Sequence, residues 1–481
     1  MMGFYAMQLE CLLAILAITT LLTDAFCPMT DKRRLGYVLA GLVTITLVYS
    51  FGLVPIHESL FHGLCRVDVF ALFFKRLFLA VTALALVASA EFSERLETGV
   101  AEFYALFLFA ATGMLLTASA NDFVLLFVSL ELVTVTFYVL TGFLRRQAAS
   151  LEAGTKYLII GALASGFTVY GIAYIFGTTG TTNFDALAAV LKRGNPGAAF
   201  TLGMLFVLAG LAFKISSVPA QIWTPDVYQG APTPVTAFLA TGSKAAGMAL
   251  VMRVCLAGLL PVREQWMTLW LVLSAVTLLY GNLCAIPQRN IKRLLGYSSI
   301  GHAGYLLMGL AAANALGAEA TLFYLGQYVF TNLCAFLVVI AVTHVTANDE
   351  ISSFAGLGRR SPLLGLSLFL AMMSLAGVPP LSGFFGKFQL FAAVIERAQT
   401  DWHYYLLAGV GAAGVVISLY FYLNVGRVIY LQEAEETTPI PVRPAMQWAL
   451  WSCLAAMIGL GIFSRPMVEA AQNAARMIVW R

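Results

Sequence analysis

Charge is what this chain has little of. Only 11% of its 481 residues are Asp, Glu, Lys or Arg, against roughly 25% in a soluble globular domain. With 60% hydrophobic residues, it cannot cover itself with a water-facing surface, so a lipid-embedded protein is expected. The net charge of +4 is spread over short connectors. That excludes the basic face a nucleic-acid binder needs to neutralise phosphates. Paired cysteine motifs are missing too. Cys11, Cys27, Cys65, Cys255, Cys284, Cys334 and Cys453 form no CxxC and no Cys/His cluster at zinc or iron–sulfur spacing, and read as apolar fillers. No Rossmann fingerprint is expected, and Gly386-Lys387 is followed by Phe388, so there is no complete Walker A. No cofactor is therefore assigned to this chain. The first apolar run lacks a basic region before it and carries Glu10, which favours a first span over a cleaved signal peptide.

Long apolar runs are what the chain has instead. Fourteen of them, near the 20 or so residues that cross a bilayer, lie at 7–22, 35–54, 67–90, 102–119, 122–143, 155–178, 199–218, 233–257, 266–286, 294–313, 319–345, 362–395, 404–429 and 446–464. Backbone groups in lipid must bond internally, and runs of this length satisfy them as helices rather than barrel strands. The fold class is an all-α polytopic membrane protein forming a single integral membrane domain over residues 1–481. Connectors after spans 1, 5, 9 and 11 hold Lys32/Arg33/Arg34, Arg145/Arg146/Lys156, Arg289/Lys292/Arg293 and Arg359/Arg360, which makes that side cytoplasmic. An even number of spans then puts both termini on the outer side of the membrane. Lys75 and Arg76, a third of the way into span 3, either snorkel or face a partner subunit; snorkelling is the reading adopted. Trp266, Trp270 and Trp448 near span ends read as interfacial anchors, and His57, His62, His344 and His403 as solvated.

An internal repeat appears when spans 5 and 6 are laid over 10 and 11. Tyr138 and Gly142 match Tyr305 and Gly309, Tyr157-Leu158 matches Tyr324-Leu325, and Val218-Pro219 matches Val378-Pro379 at a slightly shorter offset. Spans 4–8 (102–257) and 9–13 (258–429) are then two five-helix copies, with residues 1–101 as peripheral helices 1–3 and 430–481 as helix 14 and a tail. An odd number of helices per copy inverts the second, the architecture of ion-coupled transport. Pro219, and Pro379 with Pro380, should break spans 7 and 12 in mid-membrane, because proline removes a donor and clashes with the preceding turn.

Four ionisable residues stand inside these runs: Glu131, Lys214, Lys244 and Lys387. Each costs at least about 2.5–3.5 kcal/mol at bilayer depth, which points to use in moving protons or ions. Lysine suits that work, since desolvation favours the neutral amine and a nearby carboxylate favours the ammonium. Glu131–Lys214 is read as such a switch, Lys244 as the central relay and Lys387 as the group facing the exit. His302, flanked by Ser298, Ser299 and Tyr305, is a further relay candidate.

The runs KISSVPAQIWTPDVYQGAPTPVTAFLATGSKAAG (214–247), NIKRLLGYSSIGHAGYLLMG (290–309) and SLAGVPPLSGFFGKF (374–388) resemble the antiporter-like subunits of respiratory complex I and of multisubunit cation/proton antiporters, and within them the N-type subunits of bacterial NADH:quinone oxidoreductase. The resemblance covers nearly the whole chain. It implies a fourteen-helix core of two inverted repeats with discontinuous helices 7 and 12, in which Glu131, Lys214, Lys244 and Lys387 match the family's proton-channel residues. It also implies that flavin, iron–sulfur clusters and quinone belong to partner subunits, and that the partners are neighbouring antiporter-like and small hydrophobic subunits in the bilayer. Gln221 stands where the family usually has histidine, so that relay step does not carry over. Two other readings stay open: a sodium/proton antiporter subunit, and a structural subunit whose charges only pair helices.

Overall fold

The computed structural model describes residues 6–26, 31–56, 58–194, 196–433 and 438–479; Cys27 and His57 lie outside them. Among the described residues the chain is helical, with four isolated β-bridges and no strand. Each expected run coincides with a helix or a broken pair. Ten helices are long and apolar enough to cross a membrane: Gln8–Phe26, Val69–Arg95, Val100–Ser119, Phe123–Thr141, Ala148–Thr179, Thr233–Gly258, Leu260–Ala285, Ala315–Thr346, His403–Leu431 and Pro444–Ile462. Spans 2 and 10 correspond to Lys32–Ser50 and Ile291–Ala312. Spans 7 and 12 each come as two pieces, Ala198–Lys214 with Thr224–Gly230, and Pro362–Ala376 with Ser382–Ala398.

Polar residues at the run boundaries set where the helices start. Asp68, Asp122, Asn290 and Asn314 each accept a bond from a backbone N–H in the first turn, at 2.8, 2.7, 3.0 and 2.7 Å, satisfying one of the donors a helix N-terminus leaves free. Gly180 and Gly377 end their helices with φ of 71° and 90°, a conformation glycine adopts without steric cost. Span 8 is the centre of the molecule: every residue from Thr233 to Arg253 is buried, against spans 3, 4, 7 and 11. After span 14 an amphipathic helix, Arg465–Val479, lies on spans 3 and 11 where only a tail was expected.

Several expectations are corrected by packing. Lys75 does not snorkel: its Nζ lies 2.6 Å from Glu10 Oε1, and both side chains are buried between spans 1 and 3. Arg76 instead reaches the chain end of span 2, donating to the Ser50 carbonyl at 3.1 Å and stacking 4.7 Å over Phe51. Trp266 and Trp270 are fully buried rather than interfacial, their indole N–H groups held by the Leu259 carbonyl at 3.0 Å and Cys255 Sγ at 3.4 Å; Trp448 is exposed. The string Gly409-Val410-Gly411-Ala412-Ala413-Gly414 has the letters of a Rossmann fingerprint. It lies inside the continuous helix His403–Leu431, with Gly411 close to Met308 and Gly414 close to Tyr305, so it makes helix contacts and no phosphate-binding turn.

A second ion pair fixes span 8 to span 3. Arg253 forms two bonds to Asp68, at 2.6 and 2.7 Å, a third to the Ala118 carbonyl at 3.1 Å, and stacks on Phe70, with both charged side chains at 0% exposure. Removing one partner strands a charge away from water, at a cost of about 3–5 kcal/mol, whereas replacing both by apolar groups costs little. Asp68→Leu should therefore lower the melting temperature and membrane yield sharply. The double variant Asp68→Leu/Arg253→Met should recover most of the loss, short of the roughly 1 kcal/mol of the Asp68 cap.

Candidate proton pathway

The break in span 7 follows directly from its sequence. Ala198–Lys214 ends where Ser216 takes φ of 62° and Pro219 withholds a donor. The groups released there are taken up by neutral neighbours. Trp223 Nε1 donates to the Phe213 carbonyl at 3.2 Å, and the Val218 N–H donates to Thr277 Oγ1 of span 9 at 3.1 Å. Ser217 Oγ lies 3.2 Å from the same Thr277 hydroxyl, and Gln221 is buried in the break. Lys214, in the last turn before the break, is buried with its ammonium on Thr134 Oγ1 of span 5 and 5.3 Å over the Phe213 ring. Glu131 sits one turn before Thr134 on the same helix, and its Oε1 accepts from Ser165 Oγ at 2.5 Å. Glu131 and the Thr134 that holds Lys214 thus stand one helical turn apart on span 5, each with its own hydroxyl contact, without a direct ion pair between Glu131 and Lys214 among the described residues.

Lys244 lies at the middle of buried span 8, immediately after a widened π-helical turn over Leu239–Ser243. Such turns displace the hydrogen-bond ladder and recur at functional positions. Its Nζ is bonded to the Ser299 carbonyl at 2.6 Å and to Ser299 Oγ. Ser299 Oγ also meets Tyr228 OH at 3.2 Å and Tyr328 OH at 2.9 Å, so one serine of span 10 collects the lysine and two phenols. One turn further along span 10, His302 has both ring nitrogens occupied, Nδ1 by Tyr324 OH at 2.5 Å and Nε2 by Tyr422 OH at 3.1 Å. Tyr422 OH lies 2.5 Å from Ser298 Oγ as well, and the Tyr328 ring centre is 5.2 Å from that of His302.

At the break in span 12 the lysine itself supplies the missing donors. Lys387 Nζ donates to the carbonyls of Leu375 and Ala376 at 2.8 and 3.0 Å, the groups left open where Pro362–Ala376 ends at Gly377. A cation there also meets the negative end of the helix dipole. Its Nζ lies 4.6 Å over the Tyr305 ring, and Tyr305 OH donates to the Gly411 carbonyl at 2.9 Å. The second piece starts hard against the first: Gly383 N–H donates to Ser374 Oγ at 3.3 Å, and a Cβ on Gly383 would collide with the Ser374 carbonyl.

Of the expected site residues Lys214, Lys244, His302 and Lys387 are buried, whereas Glu131 is partly exposed and the break residues Pro219, Pro379 and Pro380 are exposed. Lys214 is on span 7, Lys244 on span 8, His302 on span 10 and Lys387 on span 12, with Glu131 midway along span 5. Sequence reasoning missed the hydroxyl groups gathered around them: Thr134, Ser165, Tyr228, Tyr324, Tyr328 and Tyr422. The only signal for those was hydroxyls recurring in otherwise apolar spans, and that signal is shared by ordinary helix packing.

The sequence profile of the family described as NADH:quinone oxidoreductase/Mrp antiporter, transmembrane, matches residues 120–418. NADH-quinone oxidoreductase subunit N of Moorella thermoacetica is 39% identical over 477 residues, covering 99% of each chain, and that of Heliobacterium modesticaldum is 39% identical over 480 residues, covering 99% of this chain and all of that one. A chain of Thermus thermophilus respiratory complex I with bound aureothin superposes with a TM-score of 0.81 at 32% identity, over 97% of this chain and 99% of that one. The Mrp complex of Dietzia superposes equally fully, with a TM-score of 0.83, but at 22% identity it speaks for the fold alone. With buried lysines at both helix breaks and full-length likeness to these subunits, the chain belongs to the antiporter-like membrane subunit family of NADH:quinone oxidoreductase, in its subunit N group.

Proposed function

We infer that this chain is a proton-translocating membrane-arm subunit of an NADH:quinone oxidoreductase, working through Glu131, Lys214, Lys244, His302 and Lys387. The observation that carries the reading is how the three amines are bound. Lys214, Lys244 and Lys387 are all buried, and each is held by hydroxyls or carbonyls rather than by a touching carboxylate. An amine on neutral acceptors gives up its proton without stranding a counter-charge, whereas one locked in a buried ion pair does not. Lys75 and Arg253 show the locked arrangement in the same chain. The reading of these charges as mere helix pairing is therefore disfavoured for the lysine axis.

Proton exchange between Lys214 and Glu131 would run through Thr134 and Ser165, with the carboxylate acting as a field one turn away. From Lys244 the path would continue along span 10 through Ser299 and the phenols to His302, then past Tyr305 to Lys387. With Gln221 unable to titrate, His302 carries more of the load. We read the chain as two inverted five-helix copies, spans 4–8 and 9–13, each contributing one break and its lysine, with both termini on the outer face of a bacterial membrane. Flavin, iron–sulfur clusters and quinone are assigned to other subunits of the complex, and neighbouring antiporter-like and small hydrophobic subunits are the partners.

Purification of the tagged chain from its native membrane in mild detergent should bring down flavin and iron–sulfur subunits and NADH-dependent quinone reduction; small hydrophobic subunits alone, without NADH activity, would make it a gradient-driven antiporter component. In vesicles of the intact complex, Lys244→Met should abolish the dye-reported proton gradient driven by NADH. Intact pumping in that variant would remove the central relay. Gly383→Ala, which forces the two halves of span 12 apart where Lys387 caps the first, should cut the gradient by on the order of tenfold while the subunit still assembles, read by comparing fluorescence quench with band intensity in native gels.

A further inference from the structure

The short helix Thr224–Gly230, which follows the break in span 7, has no part in the pathway as described except through Tyr228. Its seven residues nevertheless connect the membrane face to the centre of the lysine axis. On its more exposed face Asp226 is gripped from span 6 and from span 10. Oδ2 lies 2.6 Å from Lys156 Nζ of span 6, and Oδ1 lies 2.6 Å from Arg293 Nη1 of span 10. Lys156 also reaches Glu152 at 2.7 Å, and Arg293 also donates to Gln229 Oε1 at 3.1 Å. One carboxylate thus holds a cation from span 6 and a cation from span 10, each on its own oxygen.

Two residues along, Tyr228 points the other way, because side chains at i and i+2 of a helix stand on nearly opposite faces. Its OH meets Ser299 Oγ at 3.2 Å, and Ser299 is the residue that holds Lys244 by its carbonyl and hydroxyl. The helix between is wedged tightly. A Cβ on Gly230 would run into the Ala149 carbonyl of span 6, and one on Gly296 would stand 3.3 Å from Pro225 Cα and 3.5 Å from Tyr228 Cβ. Lys292 Nζ closes the far end by donating to the Ala231 carbonyl at 3.0 Å. A body packed this closely moves as a unit, so a shift at Asp226 appears at Tyr228.

We propose that Asp226, clamped between Lys156 and Arg293, is a positioning residue for proton transfer at Lys244, setting through Tyr228 the arrangement of the Ser299 acceptors. The inference rests on the proton-translocation reading given above. Lys156 and Arg293, which the charge count used only to orient the chain, are then the two jaws through which the repeats fix the relay's geometry.

The test uses the whole complex in native membrane vesicles, reading protons moved per NADH oxidised, with Lys244→Met in parallel. Asp226→Asn keeps the side chain's size and loses the charge. It should assemble at wild-type level and lower the proton-per-NADH ratio by on the order of tenfold, the scale of a small misplacement at a reacting group. Asp226→Glu, which restores the two-jawed carboxylate, should recover more than half of the ratio, and Tyr228→Phe should resemble Asp226→Asn. If Asp226→Asn fails to assemble, Lys156→Met, which leaves Asp226 its Arg293 partner, is read the same way. A wild-type ratio in the assembled Asp226→Asn or Lys156→Met complex would overturn the proposal. Should Lys244→Met also pump at the wild-type ratio, the fault lies with the translocation reading instead; loss in Lys244→Met alone refutes only the clamp.

Discussion

A backbone carbonyl released inside a bilayer must find a donor, and at the break of span 12 that donor is a lysine ammonium. Lys387 closes the open end of Pro362–Ala376 by bonding to Leu375 and Ala376, so its charge and the shape of the break depend on each other. An ammonium offers three protons and a favourable interaction with the helix dipole; a neutral amine offers two and loses that interaction. Any step that takes the proton from Lys387 therefore loosens the cap, and any movement that reseals the carbonyls elsewhere weakens the hold on the proton. Coupling between a helix end and a proton needs no further device than this.

The two breaks solve the same problem differently, and the difference assigns them different work. In span 7 the freed groups go to Trp223 and Thr277, neutral donors and acceptors from the same chain segment and from span 9. Lys214 is thereby released from capping and turns to Thr134, beside the Glu131 field. In span 12 the lysine cannot leave without exposing two carbonyls. The first lysine is thus governed by electrostatics and the second by backbone geometry. That asymmetry separates the two breaks: removing the Lys387 side chain exposes backbone carbonyls, whereas removing that of Lys214 leaves the bonds of Trp223 and Thr277 in place.

The charges and breaks were legible in the sequence because they violate its background: a lysine or a Pro-Pro pair in a run of Leu, Ala and Phe has few ordinary explanations. The helices were legible for the same reason, since each run is bounded by an Asp, Asn, Gly or Pro that caps or stops it. Glu10 and Lys75 show where that reasoning stopped. Both were visible as charges near or inside spans, but they stand sixty-five positions apart, and nothing in periodicity says that spans 1 and 3 face each other there. Trp266 and Trp270 failed for a related reason: a tryptophan at a span end looks interfacial until a neighbouring helix covers it. Tyr324, Tyr328 and Tyr422 were hidden most completely. Tyrosine is common in membrane helices, and only the fold brings these three phenols from spans 11 and 13 onto Ser298, Ser299 and His302.

Those phenols also bear on how His302 works when Gln221 cannot titrate. With Tyr324 on one nitrogen and Tyr422 on the other, the ring has one donor and one acceptor contact in its neutral form, and both phenols adjust by rotating a single O–H. Placing a second proton on the ring turns both nitrogens into donors, so both phenols must then accept and send their own protons onward, Tyr422 toward Ser298. Protonation of the imidazole and the hydrogen-bond directions of its two phenols are consequently tied together: neither nitrogen can change role unless the phenol it meets changes role too.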